Sequence, residues 1–235
     1  MGVYQTLSLA IVLTGPIEGG WLMIHVLLVD DHGLVRAGMR RLLNDARGIE
    51  VIGEAGSGEE AIDYVREHKP NVVIMDVNMP GIGGLEATRK LLHIDPLVKI
   101  IVVTVYGDEP FPTRLLEAGA AGYLTKSCAV DEIISAIHAV QRGQRYLSAD
   151  VARQVALSML PGGTRSVFEK LSQREMQVML MVTQGYRNQD ISDRLCLSPT
   201  TISTYRYRLY DKLGVANDVE LTHLAIRHGM LECRP

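Results

Sequence analysis

Short apolar runs alternate with stretches of helical periodicity over the first two thirds of the chain. Each run has the length and composition of a strand that is buried on both faces, as in a parallel sheet. Between the runs, apolar residues recur at helical spacing, which indicates amphipathic helices. This strict alternation predicts an α/β doubly wound sheet of five parallel strands. The predicted strands cover residues 24–29, 49–55, 72–75, 100–104 and 122–125.

The strand pattern disappears after residue 148, and only helical periodicity follows. A helical stretch over 148–160 is broken by Pro161-Gly162-Gly163-Thr164, which is the best candidate for a linker. Four further helices are predicted over 173–184, 188–196, 199–213 and 218–228. The chain therefore divides into an α/β domain over 23–145, a linker over 146–166 and an all-α domain of four helices over 167–235.

Residues 1–22 precede the first strand and fit neither domain. Their apolar run at 7–13 is too short to span a bilayer, and no Lys or Arg precedes it as in a signal peptide. We expect this segment to be an N-terminal extension outside both domains, with Met23 as the natural start of the protein. We also expect no association with a membrane.

Polar side chains stand where four of the predicted strands end. Asp30 and Asp31 follow the first strand, Asp76 follows the third, Thr104 ends the fourth and Lys126 follows the fifth. The carboxyl ends of parallel strands meet at one edge of a sheet, so we expect these groups to converge. Mg²⁺ prefers such oxygen ligands, and a carboxylate can attack phosphorus once the ion reduces the repulsion between the two anions. The pattern predicts an aspartyl nucleophile whose phosphoryl group contacts the ammonium and the hydroxyl.

Residues 23–145 resemble the receiver domain of bacterial response regulators. The resemblance rests on the Asp pair, on Met75-Asp76-Val77-Asn78-Met79-Pro80-Gly81, on Thr104 and on Lys126. It implies a flavodoxin-like fold, Mg²⁺ as the cofactor and Asp76 as the phosphoacceptor.

The same resemblance implies roles for the residues around the phosphoacceptor, which is itself a metal ligand in this family. Asp31 is expected to bind the ion directly, Asp30 to act through a water molecule, and Asn78 to contribute its backbone carbonyl. Tyr123 is expected to change rotamer when Thr104 moves toward the phosphate. From the residues alone, Tyr123 is a half-buried strand residue.

The turn Leu197-Ser198-Pro199 joins two of the predicted helices, with Ser as N-cap and Pro in the first helical position. This layout predicts a helix-turn-helix, although an ordinary solvated amphipathic helix is the alternative. Hydroxyl groups early in the second helix, followed by Tyr and Arg, suit phosphate and base-edge contacts in a major groove. The candidate DNA contacts are Thr200, Thr201, Ser203, Thr204, Arg206, Tyr207, Arg208 and Lys212.

The segments Leu171-Ser172-Gln173-Arg174-Glu175 and Lys212-Leu213-Gly214-Val215, with the turn between them, resemble the LuxR-type helix-turn-helix. Together the two domains resemble the NarL/FixJ class of response regulators over nearly all of residues 23–233, and the segments at 81–92 and 204–208 bring the chain near its GacA/UvrY branch. Many LuxR-type recognition helices carry Lys where Thr200 and Ser203 stand here, so their base readout does not transfer to this chain.

The resemblance implies a transcription regulator and not an enzyme. A cognate sensor histidine kinase is the expected phosphodonor, and the active form is expected to be a homodimer on double-stranded promoter DNA, with RNA polymerase as a further candidate partner. The three cysteines include no CxxC pair, which fits a reducing cytoplasm and argues against disulfides or zinc. The net charge is −3, so DNA binding has to rest on where the basic residues lie.

Two other classes of function are compatible with parts of the pattern. A Mg²⁺-dependent phosphohydrolase of the haloacid-dehalogenase type also uses an aspartyl nucleophile, but in a DxD after the first strand. Here Asp30 and Asp31 are adjacent, and the candidate nucleophile follows the third strand. The other class is a receiver that acts through protein contacts alone. A DNA mobility shift and an assay for hydrolysis of phosphate esters distinguish these two classes from a DNA-binding regulator.

Overall fold

The computed structural model describes residues 23–105, 111–158, 166–228 and 230. The extension at 1–22 and the linker candidate at 161–164 lie outside these ranges. In the N-terminal part, strands and helices alternate as the sequence predicts. They are β1 (Ile24–Val29), α1 (Gly33–Asn44), β2 (Ile49–Ala55), α2 (Gly58–His68), β3 (Val72–Met75), α3 (Gly83–Ile94), β4 (Lys99–Thr104), α4 (Phe111–Glu117), β5 (Gly122–Thr125), α5 (Val130–Gln141) and β6 (Tyr146–Leu147).

The strands form one parallel sheet in the order β2-β1-β3-β4-β5-β6. Successive side chains of a strand point to opposite faces, so adjacent apolar residues of β1 enter different buried clusters. Leu28 belongs to the same cluster as Ile137 of α5, and Leu27 to the same cluster as Leu91 of α3. Helices therefore cover both faces of the sheet, and the doubly wound prediction is confirmed.

The sheet has one strand more than the five that the sequence predicts. Tyr146 and Leu147 pair in parallel with Gly122 and Tyr123 of β5. Two residues are too few to show an alternating pattern, so only the presence of β5 as a partner defines β6. The chain then continues as α6 (Ala149–Ser158), which buries Val151.

The C-terminal part is helical, as predicted. A short 3-10 helix (Val167–Lys170) leads to α7 (Gln173–Thr183), α8 (Asn188–Leu195), α9 (Pro199–Leu213) and α10 (Asp218–Arg227). Ser172 and Glu175 form a capping box at the start of α7. At the start of α9 the Ser198 side chain accepts a hydrogen bond from Thr201 N–H, and Pro199 occupies the first turn. The Ser198 cap defines the turn between α8 and α9, and the prediction of a helix-turn-helix is confirmed.

One buried apolar cluster, here called the shared cluster, joins the α/β part to the helical part. It contains Val77, Phe111 and Tyr123 from the α/β part and Met176 and Leu180 from α7. Nowhere in the described ranges is there a helix long and apolar enough to cross a membrane.

Candidate functional site

The carboxyl ends of β1, β3 and β5 bring Asp30, Asp76 and Lys126 together at one edge of the sheet. Lys126 Nζ donates to Asp30 Oδ2 at 2.6 Å and to Asp76 Oδ2 at 2.8 Å. Asp30 and Asp76 are buried, with 6% and 4% of their surface exposed. Asp31 lies beside them, partly open to solvent. The strand ends thus bring together the residues that the sequence singles out.

Three carboxylates share this edge with the ammonium group of Lys126. Burial raises the pKa of the Asp76 carboxyl above its usual range, and the charge of Lys126 opposes that rise. For Lys126, burial acts to lower the pKa, but the charge of Asp76 and hydrogen bonds with Asp30 and Asp76 outweigh it and raise the pKa. The site therefore carries excess negative charge that a bound cation would reduce.

The donor atoms at this edge fit a hard divalent cation. Asp30, Asp31, His32 and Asp76 each offer a ligand atom, and these atoms lie within 4.8 Å of one another. Asp31 Oδ1 is buried and has no hydrogen-bond partner among the described residues. A free carboxylate oxygen in a site with excess negative charge is the kind of ligand that Mg²⁺ prefers.

Asn78, the fourth predicted metal ligand, lies on the loop that follows Asp76. Its backbone N–H donates to Asp76 Oδ1 at 3.3 Å, which places Asn78 next to the carboxylate. Ligation of the ion by the Asn78 carbonyl stays a prediction.

Thr104 and Tyr123, the two predicted switch residues, are both fully buried. The Thr104 carbonyl accepts a hydrogen bond from the backbone N–H of Lys126 at 2.7 Å, so the hydroxyl-bearing residue is adjacent to the acidic site. The strand pattern predicts a half-buried Tyr123, but the side chain is fully buried because it lies in the shared cluster. The rotamer change of Tyr123 stays a prediction.

The loop after Asp76 is hydrogen-bonded to the helical part. Gly81 N–H donates to the carbonyl of Arg194 at 2.9 Å, and Arg174 donates back to the Gly81 carbonyl at 2.8 Å. Gln173 Nε2 donates to the carbonyl of Ile82 at 3.2 Å. A shift of this loop would therefore act directly on α7 and on the end of α8.

Arg114 of α4 makes a second connection between the two parts, which the sequence does not indicate. Its Nη2 lies 3.1, 2.7 and 2.6 Å from the carbonyl oxygens of Phe168, Glu169 and Leu171. The first two carbonyls belong to the 3-10 helix that precedes α7, and the Phe168 carbonyl also accepts a hydrogen bond from Leu171 N–H at 3.0 Å. An isolated Arg on a helix gives no sequence signal for such a contact.

The exposed face of α9 carries most of the predicted DNA contacts. Thr200, Ser203, Thr204, Tyr207 and Arg208 are exposed, and Tyr207 has 73% of its surface open to solvent. Tyr207 and Arg208 make no side-chain hydrogen bond to any part of the chain that the structure describes. Both side chains are therefore available for an external partner.

Three other predicted contacts have partners within the helical part, as does the exposed Ser203, whose hydroxyl accepts a hydrogen bond from Asn188 Nδ2 at 3.1 Å. Thr201 Oγ1 lies 2.8 Å from the N-cap hydroxyl of Ser198. Arg206 donates to Asn188 Oδ1 at 2.7 Å and pairs with Asp218.

Lys212, the last of the three, donates to Glu175 Oε2 at 2.7 Å. Sequence position alone could not distinguish these internal partners from phosphate contacts.

The Glu175 carboxylate links the capping box of α7 to α9 and is almost completely buried. Burial alone would raise its pKa, but hydrogen bonds from Lys212 and Ser172 outweigh that effect and lower the pKa. A depressed pKa in the folded state means that ionised Glu175 stabilises the fold above its unfolded pKa of about 4.3. This stabilisation is lost as the pH falls through the folded pKa.

We therefore expect Glu175→Gln to flatten the decline in stability below about pH 4.3. The measurement is the free energy of unfolding in urea at a series of pH values between neutral and acid. Glu67→Gln, at an exposed position on α2, is the matched control and should leave the curve unchanged. An acid decline of equal steepness in the Glu175→Gln variant would show that another group causes it.

The chain matches the sequence profile of response regulator receiver domains over residues 26–138 and that of bacterial regulatory proteins of the luxR family over residues 169–225. Response regulator GacA of Pseudomonas aeruginosa is 54% identical over 211 residues, covering 89% of this chain and 99% of that protein. Response regulator UvrY of Escherichia coli strain K12 is 55% identical over 209 residues, covering 88% and 96%.

A solved structure of two RcsB dimers bound to two parallel DNAs is similar to this chain. It has 26% sequence identity and a TM-score of 0.53, and the match covers 87% of this chain and 98% of the RcsB chain. Both profiles, the two relatives and the observed fold agree on one family of transcription regulators. The chain therefore belongs to the response regulators of two-component systems, in the class that carries a LuxR-type DNA-binding domain.

Proposed function

We propose that this protein is a DNA-binding transcriptional regulator controlled by phosphorylation of Asp76. The observation that carries the proposal is the position of the Asp76 carboxylate, buried at the sheet edge between Lys126 and the Asp30–Asp31 pair. In the proposed reaction an Asp76 oxygen attacks phosphorus, and the donor, the imidazole of a partner histidine kinase or a small acyl phosphate, departs as the leaving group. The product is an acyl phosphate on Asp76.

The residues around Asp76 have separate roles in this proposal. Asp30, Asp31 and Asp76, with the carbonyl of Asn78, would hold Mg²⁺, and the ion would supply positive charge that reduces repulsion between the carboxylate and the phosphoryl oxygens. Lys126 already donates to Asp76 Oδ2 and would keep contact with a phosphoryl oxygen once the group is attached.

Phosphorylation would act on the helical part through two routes. The new charge would draw Thr104 inward and bias the position of Tyr123 in the shared cluster. The loop after Asp76 would pass a displacement to α7 and α8 through Gly81, whose backbone bonds to Arg174 and Arg194. The first route ends at α7, and the second ends at α7 and at the end of α8, just before the turn of the helix-turn-helix.

We propose that the active form is a homodimer on a two-fold symmetric promoter site in the cytoplasm. Support comes from the RcsB dimers on DNA and from exposed apolar side chains on α10, where Val219 and Ile226 face solvent. RNA polymerase is a further proposed partner at such a site.

The proposed DNA face consists of the exposed residues of α9. Tyr207 and Thr204 lie about one turn apart, so both can face a major groove while Arg208 reaches toward phosphates. Thr200 and Ser203 would complete this face. Arg206 and Lys212 would act mainly by fixing α9 within its domain, because their charges are already paired with Asp218 and Glu175.

This division between Arg208 and Arg206 makes a testable prediction. Arg208→Ala should weaken binding to every DNA sequence. It should also reduce the slope of log affinity against log salt concentration by about one unit, which corresponds to one lost phosphate contact. Arg206→Ala should instead lower the midpoint of unfolding and change the salt slope much less. Fluorescence anisotropy with a promoter fragment at several salt concentrations measures the salt slope of each variant. Thermal unfolding of each variant without DNA measures the midpoint. Equal changes in salt slope would show that both arginines contact phosphates.

Base readout is tested with single-base variants of the same fragment. Tyr207→Ala should reduce discrimination at particular base pairs, by roughly 1–3 kcal/mol for each base contact that is lost. A uniform loss of affinity across all variants would contradict base reading by Tyr207. No DNA binding by the phosphorylated protein at any sequence would favour a regulator that acts through protein contacts alone.

A further inference from the structure

His32 stands next to the acidic site, in a family whose expected ligands at this site are all oxygens. Its Nδ1 lies 2.8 Å from Asp31 Oδ1 and 3.2 Å from Asp30 Oδ1. The backbone N–H of His32 also donates to Asp30 Oδ1 at 2.8 Å, which fixes the residue at the start of α1. The imidazole is therefore held against two of the three carboxylates.

His32 Nδ1 lies at hydrogen-bond distance from Asp30 Oδ1, but its relation to Asp31 is a close approach without a hydrogen bond. Asp31 Oδ1 has no hydrogen-bond partner in the described ranges, although His32 Nδ1 is only 2.8 Å away. Two donor atoms side by side at this distance have the spacing of adjacent ligands of one ion, since bonds of about 2.0–2.1 Å at right angles separate ligands by about 2.9 Å.

Lys126 occupies only one oxygen atom in each of two carboxylates of the site. It binds the Oδ2 atoms of Asp30 and Asp76, while Asp30 Oδ1 accepts the His32 backbone N–H and Asp76 Oδ1 accepts the Asn78 backbone N–H. Each of these oxygens has a second lone pair that can bind an ion. The His32 side chain is 64% exposed to solvent. Its Nε2 can carry the ring proton in water while the Nδ1 lone pair binds the ion.

We propose that His32 is a nitrogen ligand of the metal ion and makes this receiver selective for transition-metal ions, Mn²⁺ among them, relative to Mg²⁺. This inference rests on the metal site of the proposed function. Imidazole nitrogen adds affinity for first-row transition metals, whereas Mg²⁺ gains little from it because it prefers oxygen. The acidic site would then respond to which divalent ion is abundant as well as to the phosphodonor.

The alternative role for His32 is that of a hydrogen-bond donor that orients Asp30. In that case loss of the imidazole would weaken binding of both ions by the same factor. Selectivity between the two ions, and not affinity for either one, therefore distinguishes a ligand from a positioning residue.

The test is calorimetric titration of the full chain with Mg²⁺ and with Mn²⁺ for the wild type, His32→Ala, His32→Asn and His93→Ala. His93 is exposed on α3 and serves as the control for loss of a surface imidazole. We expect His32→Ala to lose about tenfold or more in Mn²⁺ affinity, the size of effect seen when a metal site loses a supporting group, and to change Mg²⁺ affinity much less. An unchanged ratio of the two affinities would overturn the proposal.

Electron spin-echo envelope modulation of the Mn²⁺-loaded protein gives a direct readout of nitrogen ligation. The wild type and His93→Ala should show coupling to imidazole ¹⁴N, and both His32 variants should lack it. Absence of the coupling in the wild type would overturn the role of His32, even if both ions bind. If neither ion binds, or if Asp31→Ala binds both as well as the wild type, the metal site of the proposed function fails as well.

Discussion

Replacement of Asp76 by asparagine is expected to abolish Mg²⁺-dependent labelling of the protein by acetyl phosphate. The amide has nearly the size of the carboxylate, so it fits the buried position, but it cannot form an acyl phosphate. The measurement is incorporation of labelled phosphate, followed by peptide mapping. Asp63→Asn, at a side chain that is 76% exposed on α2, should keep full labelling. If the Asp76→Asn variant still incorporates one phosphate per chain, on another residue, Asp76 is not the phosphoacceptor.

Gly84→Ala is expected to have the second large effect, on stability and on phosphorylation together. A Cβ at Gly84 would lie 2.2 Å from the carbonyl oxygen of Asp76 and 2.8 Å from the Cα of Val77. These are backbone atoms, so the methyl group can be accommodated only if the loop after Asp76 or the start of α3 moves. Overpacking of this kind costs about 1–3 kcal/mol. We therefore expect a lower free energy of unfolding in urea and slower labelling of Asp76.

Gly38→Ala provides the matched control for this substitution. Gly38 lies within α1, and no atom outside its own stretch of helix comes within 4 Å of the added Cβ. The same change should therefore stabilise the protein by roughly 0.5–1 kcal/mol, because Ala favours a helix interior more than Gly does. Destabilisation of similar size by both substitutions would show that the contact with the Asp76 loop is not the cause.

The acidic site was predictable from the sequence because strand ends are local features. Each strand that contributes to the site is an apolar run that stops at a polar residue, and parallel pairing through the order β1-β3-β4-β5 brings those ends to one edge. Asp30, Asp76 and Lys126 needed only this rule. The helix-turn-helix was predictable for a similar reason, since Ser198 and Pro199 mark the start of α9 by their own conformational preferences.

The partners of the basic residues on α9 could not be predicted in this way. Arg206 pairs with a residue that lies 12 positions away in the sequence, and Lys212 with one that lies 37 positions away. A long cationic side chain on a helix can reach either a distant carboxylate of its own domain or an external phosphate. Only the packing of α7 against α9, and of α10 against α7, determines which partner is present. The two-residue strand β6 is a comparable case, because its pairing depends on an exposed edge of β5.

The shared cluster limits how freely the two halves of this protein can be exchanged with those of other regulators. Phe111 and Tyr123 share one buried apolar cluster with Met176 and Leu180 of α7, so a receiver separated from its helices would expose apolar surface. A foreign helix-turn-helix joined at residue 145 would have to cover that surface with side chains of matching shape. Chimeras of this protein should therefore fold best when α6, α7 and the receiver come from the same parent.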